Sequence, residues 1–261
     1  MREIRLLKTE ALKIGYRSPK KEIVVTKDID LSVNKNELVA IIGINGAGKS
    51  TLLKSLSKNL VPLSGSILLK GKSIDEFSPK QFSETLSLVL TEQSFSKNLS
   101  VFELVALGRQ PYTNWLGSLT SEDIAVVNEA LAQTGIRELA EKKCNELSDG
   151  QLQKVLISRA LAQDTALVLM DEPTTHLDMY HKVYILQLLK KLTKSTGKAI
   201  IFATHEINLA LQLCDRIILI HKGTAQQGSP EELISKGVFK DLFSTDFIRF
   251  DARNKIFRVV E

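Results

Sequence analysis

The stretch Gly43-Ile-Asn-Gly-Ala-Gly-Lys-Ser50 has the spacing G-x-x-x-x-G-K-S and follows directly on the apolar run Leu38-Val-Ala-Ile-Ile42. A strand that ends in such a loop, with a helix expected from about Lys49 to Lys58, builds a cradle for nucleotide phosphates. Gly43, Gly46 and Gly48 leave no Cβ in the way and permit positive φ, so successive backbone N–H groups can turn inward around an anion. The positive end of the following helix adds to this field. Contacts to the nucleotide are therefore expected from Gly43, Ile44, Asn45, Gly46, Ala47, Gly48, Lys49, Ser50 and Thr51. Lys49 would bring a mobile ammonium to the β and γ phosphates, and the Ser50 hydroxyl would join the shell of a Mg²⁺ ion. A glycine-rich turn can also simply close a tight corner, but here the full spacing, the strand before and the helix after agree.

The chain has 261 residues, 43% apolar and 25% charged, an ordinary soluble composition for one large domain or two small ones. Apolar runs such as Ala166-Leu-Val-Leu-Met170 fall far short of the roughly 20 residues that cross a bilayer. The start, Met1-Arg-Glu-Ile-Arg, alternates charged and apolar residues, unlike a signal peptide, so a cytoplasmic location is expected. Cys144 and Cys214 stand outside any C-x-x-C or Cys/His cluster and read as idle thiols. The 35 basic and 30 acidic residues give a net charge of +5, with lysines scattered rather than gathered, so no nucleic-acid surface is indicated. Mild basicity would suit work beside an anionic membrane face, and a solvated surface explains it equally well.

Residues 3 to 32 read as short strands broken by the turn-like Arg17-Ser-Pro-Lys-Lys21, and Gly65-Ser-Ile-Leu-Leu-Lys-Gly71 as another strand. These make an N-terminal antiparallel β layer. From Val101 to about Ala162 the pattern turns helical, with Thr120 and Asp123 as an N-cap pair and Gly135 as a stop. Apolar strands then follow at Ala166–Met170, Ala199–Ala203 and Arg216–Ile220, separated by amphipathic helices such as Met179–Thr196, which ends at Gly197. Strands alternating with helices predict a mostly parallel sheet of the α/β P-loop NTPase class, with a helical subdomain inserted at about 94–162. The domain is expected over 1–240, with 241–261 as a short appendage.

A phosphate loop alone leaves kinases, GTPases and motor ATPases open. Three further segments narrow the field: Leu147-Ser-Asp-Gly-Gln151 ahead of the helical Leu152–Ala162, Asp171-Glu-Pro-Thr-Thr-His-Leu-Asp178 after an apolar strand, and His205 in Ala203-Thr-His-Glu. In this order, over about residues 3 to 240, the chain resembles the nucleotide-binding subunit of an ABC transporter.

The resemblance implies an ABC-type ATPase that uses ATP and Mg²⁺. Asp171, with Ser50 and a glutamine after the strand Leu86–Leu90, would hold the metal. Counting back from Val101 puts that last position nearer Thr91, whereas the glutamine at hand is Gln93. Glu172 would be the general base, a role typically worth about 10² to 10⁴ in rate, and His205 would reach the γ-phosphate, with Lys49 completing the catalytic set. Ser148, Gly150 and Gln151 would bind the γ-phosphate held by the other copy of a homodimer, and Asp178 would lie in a loop at the dimer contact. Asp149 departs from the family pattern, which favours glycine there. Tyr16 matches the aromatic residue that stacks on adenine, though it also suits a plain β-sheet tyrosine.

Val105-Ala-Leu-Gly-Arg-Gln-Pro-Tyr112 is similar to the same region of ATPases that drive importers of iron-siderophores, haem and cobalamin. That similarity implies membrane permease subunits docking on the helical insert, indirectly a substrate-binding protein, and a peripheral position on the inner face of the membrane. An exporter subunit or an importer of another substrate class would carry most of the same motifs. A P-loop kinase would share the loop but has no need of Leu147–Gln151.

Overall fold

The computed structural model describes residues 5–19, 21–90, 95–243 and 247–260. The chain runs β1 (Leu7–Ser18), β2 (Lys21–Ile29), β3 (Ser32–Val33), β4 (Leu38–Ile42), α1 (Lys49–Leu56), β5 (Ser64–Leu69), β6 (Lys72–Ser73), α2 (Pro79–Ser83), β7 (Leu86–Val89), α3 (Val101–Ala106), α4 (Ser121–Gln133) and α5 (Asp149–Ala162). It continues through β8 (Leu167–Asp171), α6 (Met179–Thr196), β9 (Ala199–Ala203), α7 (Ile207–Leu213), β10 (Arg216–His221), β11 (Thr224–Gly228), α8 (Pro230–Ser235), β12 (Ile248–Asp251) and β13 (Ile256–Val259).

Strands β10, β4, β9, β8 and β7 pair in parallel in that order, as the alternation of strands and helices predicts. The N-terminal strands β1, β2, β3, β5 and β6 form the expected antiparallel layer, which is continuous with the parallel part. Among the described residues they continue the same 11-stranded sheet: β11 pairs antiparallel with β10, and β2 joins β11 at Thr224 opposite Lys27. β1 and β2 are also fewer and longer than the short strands expected, with Ser18 opposite Lys21 across the turn.

Both faces of the parallel part are covered, and β4 shows how. Leu38, Ala40 and Ile42 pack into a core beneath the helices α3 to α8, while Val39 and Ile41 pack with α1 and the N-terminal strands. Side chains alternate across a strand, so an all-apolar strand feeds two cores. Cys144 and Cys214 are buried in the first of them as free thiols, and burial pushes the thiol pKa of each upward. They are packing residues, as expected.

Helix α1 stops two residues before the predicted end. Lys58 adopts φ 61° and the amides of Asn59 and Leu60 fold back onto the Lys54 carbonyl, closing the last turn. The Thr120–Asp123 pair forms a full capping box at the start of α4, and α6 ends at Gly197, whose φ is 74°. Asp123 has a second duty that the pattern does not announce. Its Oδ1 accepts from Arg109 Nε at 2.8 Å, the two side chains being 5% and 8% exposed, and Arg109 Nη1 donates to the Ala162 carbonyl at 3.0 Å. The guanidinium lies 3.9 Å over the Tyr112 ring. Tyr112 in turn bonds the Gln163 carbonyl, and the Gln163 amide donates to the carbonyls of Ser83 and Leu86. The end of α5 is thus tied at once to the helical insert and to the root of β7.

Residues 248–259 form a two-stranded hairpin. Its Phe250 and Phe257 stack with Phe239 and Phe243, and the Asn208 side chain bonds both the amide and the carbonyl of Phe257. Among the described residues no helix is long and apolar enough to cross a membrane.

Candidate active site

The parallel order of β10, β4, β9 and β8 brings the C-terminal ends of these strands together, which is where an open α/β sheet collects its site residues. The loop after β4 runs into α1 through Gly48. At φ 109° its backbone suits glycine, and a Cβ there would stand 2.5 Å from Val25 Cγ1. Side chains cap α3, α4, α5 and α6, from Ser100, Thr120, Ser148 and Asp178, whereas no side chain caps α1. The first-turn N–H groups of a helix have no intrahelical acceptor, so this end fits an anion.

Lys49 is buried, and its Nζ donates to the carbonyls of Gly43 at 3.0 Å and Ile44 at 3.3 Å. Burial lowers its pKa, and the charges of Glu172 and Asp171 oppose that shift. Asp171 closes β8, where Ser50 Oγ donates to its Oδ1 at 3.2 Å. Burial raises the Asp171 pKa against that hydrogen bond. A hydroxyl beside a carboxylate is a hard-oxygen pair of the kind Mg²⁺ takes, so the residues present fit the metal. Since a carboxylate ligand must be deprotonated, affinity for such an ion falls as pH drops through the raised Asp171 pKa.

Glu172 sits at φ 46°, a left-handed conformation that costs of order 1–3 kcal/mol for a residue with a side chain. Its amide is fixed by the Ala203 carbonyl at 3.0 Å. The carboxylate is oriented by Thr175 Oγ1 at 3.0 Å and His205 Nδ1 at 3.2 Å, both on Oε2. His205 Nε2 lies 3.2 Å from Glu206, which is paired with Lys182 of α6. Residues from the ends of β8 and β9 therefore converge on one carboxylate. Thr175 and Glu206 lie inside the motifs after β8 and β9, but their contacts with Glu172 and His205, and the pairing of Glu206 with Lys182, are not legible in the sequence, because spacing alone does not tell which side chains two strand ends bring together.

Tyr16 lies on β1, 46% exposed, with its hydroxyl 3.2 Å from Thr51 Oγ1, so it borders the phosphate loop. Ser148 caps α5 in a capping box with Gln151. Asp149 is exposed in the first turn, where a negative charge suits the helix dipole, and it lines a groove with Asp171 and Glu172. Asp178 caps α6 and bonds His181. Among the described residues, no hydrogen bond joins Ser148, Gln151 or Asp178 to the phosphate loop. Gln93 and Thr91 lie outside the described residues.

The family model described as ABC transporter matches residues 26–175, from β2 through the loop, the Ser148 segment and Glu172. The chain belongs to the ABC transporter family. It is an ATP-binding cassette, and ATP hydrolysis is the general activity of the family. The model of an AAA domain matches the shorter stretch 142–211. The achromobactin transport ATP-binding protein of Dickeya dadantii is 40% identical to the cassette over 236 residues, 90% of this chain and 86% of that one. The iron(3+)-hydroxamate import ATP-binding protein of Bacillus subtilis is 38% identical over 241 residues, covering 92% of this chain and 88% of that one. Among solved structures, that of a bacterial ABC transporter cassette in dimeric form superposes with a TM-score of 0.72 at 28% identity, over 86% of this chain and 98% of that one. The fold expectation, a P-loop ATPase with a mostly parallel sheet, is borne out.

Proposed function

We propose that the cassette is the ATP-hydrolysing subunit of a membrane importer for an iron-siderophore, haem or cobalamin. The observation that carries the hydrolytic part is the Glu172 carboxylate held by Thr175 and His205 at the strand ends, beside the Ser50–Asp171 pair. Import of a siderophore or cobalamin is supported by relatives described as iron(3+)-hydroxamate, siderophore and cobalamin ATP-binding proteins. Two copies would close on two ATP molecules, permease subunits would dock on the α3–α5 insert, and a substrate-binding protein would deliver cargo from outside. The cassette would then lie on the inner face of the membrane.

In this reading the N–H groups of residues 43–51 and Lys49 hold the triphosphate. Ser50 and Asp171, with Gln93 or Thr91, would bind Mg²⁺, which neutralises phosphate charge. Glu172 takes a proton from water as its oxygen attacks the γ-phosphorus, and ADP leaves. His205 steadies Glu172 and the γ-phosphate oxygens, and Ser148, Gly150 and Gln151 of the second copy close the pocket. Preferential ATP binding to the closed dimer shifts the conformational balance and moves the permease.

The test is co-purification with the cognate permease, reconstitution in vesicles, and measurement of ATP-dependent uptake of ferric chelates, haem and cobalamin. Uptake of one of them with release of free phosphate supports the reading. A phosphorylated acceptor in place of free phosphate would point to a kinase. For the base-stacking role, Tyr16→Ala should weaken ATP binding by about 1–3 kcal/mol, the usual worth of base–aromatic stacking. An unchanged Kd in a nucleotide-binding titration removes Tyr16 from the site.

A further inference from the structure

His181 stands outside the proposed catalytic and nucleotide contacts, yet it joins the start of α5 to the start of α6. Gly150 is buried in the first turn of α5, and a Cβ placed on it would stand 2.8 Å from His181 Cδ2 and 3.4 Å from Nε2. The glycine is needed there for room. The ring beneath it is held in place: Nδ1 lies 2.9 and 3.0 Å from the two carboxylate oxygens of Asp178, and the His181 amide donates to Oδ1 at 2.8 Å. An ionised carboxylate only accepts, so Nδ1 carries the proton and Nε2 is turned toward Gly150. Tyr180 meets the ring edge-on at 5.3 Å. One turn further along, Lys154 of α5 lies 4.3 Å over the ring of Tyr184 of α6. Positions four apart on α5 thus meet positions three apart on α6, and the two helix starts touch at these two places. Ser148 and Asp178 stand exposed at the top of this contact.

We propose that His181 is a positioning residue that locks the Ser148 end of α5 to the Asp178 turn, so that each copy presents both as one rigid unit to the nucleotide held by its partner. This rests on the proposed function, in which Ser148 and Asp178 act across the dimer. A histidine that merely capped its own helix would affect the stability of its own chain and nothing beyond it. The proposal instead gives His181 an effect on the neighbouring site, through geometry that must be right to within about 1 Å to sustain turnover.

The experiment uses the full chain assembled with its permease. In His181→Ala, kcat should fall about tenfold to a hundredfold, the effect of a 1 Å misplacement, while ATP binding by the isolated chain stays within about twofold and its melting curve is retained. Mixed dimers, made from differently tagged chains and purified on both tags, then separate the two copies' contributions. Pairing a Lys49→Ala chain with a His181→Ala chain leaves one site with an intact loop on one side and an intact α5 end on the other. That dimer should turn over as fast as Lys49→Ala paired with wild type. A rate as low as the His181→Ala homodimer, or an unchanged kcat in the single variant, overturns the proposal. Lys49→Ala paired with Ser148→Arg tests the shared site itself. If that pair recovers no activity over its homodimers, the dimer reading fails and the role of His181 falls with it; if it recovers, the His181 result stands on its own.

Discussion

Glu172→Gln should bind ATP normally yet hydrolyse it about 10² to 10⁴ times more slowly, the usual worth of a positioned general base. The amide keeps the size and the hydrogen bonds of the carboxylate, so Thr175 and His205 still have a partner, but it cannot take a proton from water. The site can then close and cannot reopen through hydrolysis. Gel filtration with ATP should show the variant accumulating as a dimer, while the wild type returns to its free state as ATP is consumed. Phosphate release at the wild-type rate would remove Glu172 from the catalytic role. His205→Ala should show a smaller loss, since it removes one of two groups that orient the carboxylate.

Asp123→Ala should destabilise the cassette by about 3–5 kcal/mol, because it strands the buried Arg109 guanidinium without its counter-ion. At about 2–4 °C per kcal/mol for a chain of this size, the melting temperature should fall by about 6–20 °C. Removing both charges with apolar residues of similar volume should recover most of the loss, which distinguishes a stranded charge from a lost cavity filler. The effect has a defined pH window. Hydrogen bonds from the Thr120 backbone and hydroxyl, then from Arg109, hold the Asp123 pKa below the ordinary carboxylate value. Its contribution is therefore present in full above the unfolded-state carboxylate pKa and is lost as pH falls through the folded one. Melting curves of wild type and variant should converge in acid; a difference that persists unchanged below that range would refute the ion-pair account.

The parts legible in the sequence are those whose physics is local. Gly43 to Ser50 is a covalently continuous nest, the Thr120 and Ser148 caps are set by residues three apart, and the ends of α6 are marked by Asp178 and Gly197. The parallel strands are legible as unbroken apolar runs, which do not tell how the sheet is put together: nothing in β2 or β11 announces that Lys27 and Thr224 pair and merge the two parts. Likewise, Glu172 could be picked out beside Asp171, but its orienting partners come from different strand ends and required the fold. The burial of Arg109 is not legible in the sequence, because charged residues in a helical stretch look like a solvated face until a partner 14 positions away folds over them.

The fastening of α5 has a mechanical corollary. Gln163, at its far end, is pinned to the carbonyls of Ser83 and Leu86, while Ser148 at the other end stands in the open. A rod of 14 residues is about 21 Å long. Pivoting by about 10° at the pinned end would carry Ser148, together with the Asp178 turn fastened to it, through about 4 Å, by the same rise per residue. Small tilts at the fulcrum would thus be magnified into the difference between touching and missing a phosphate.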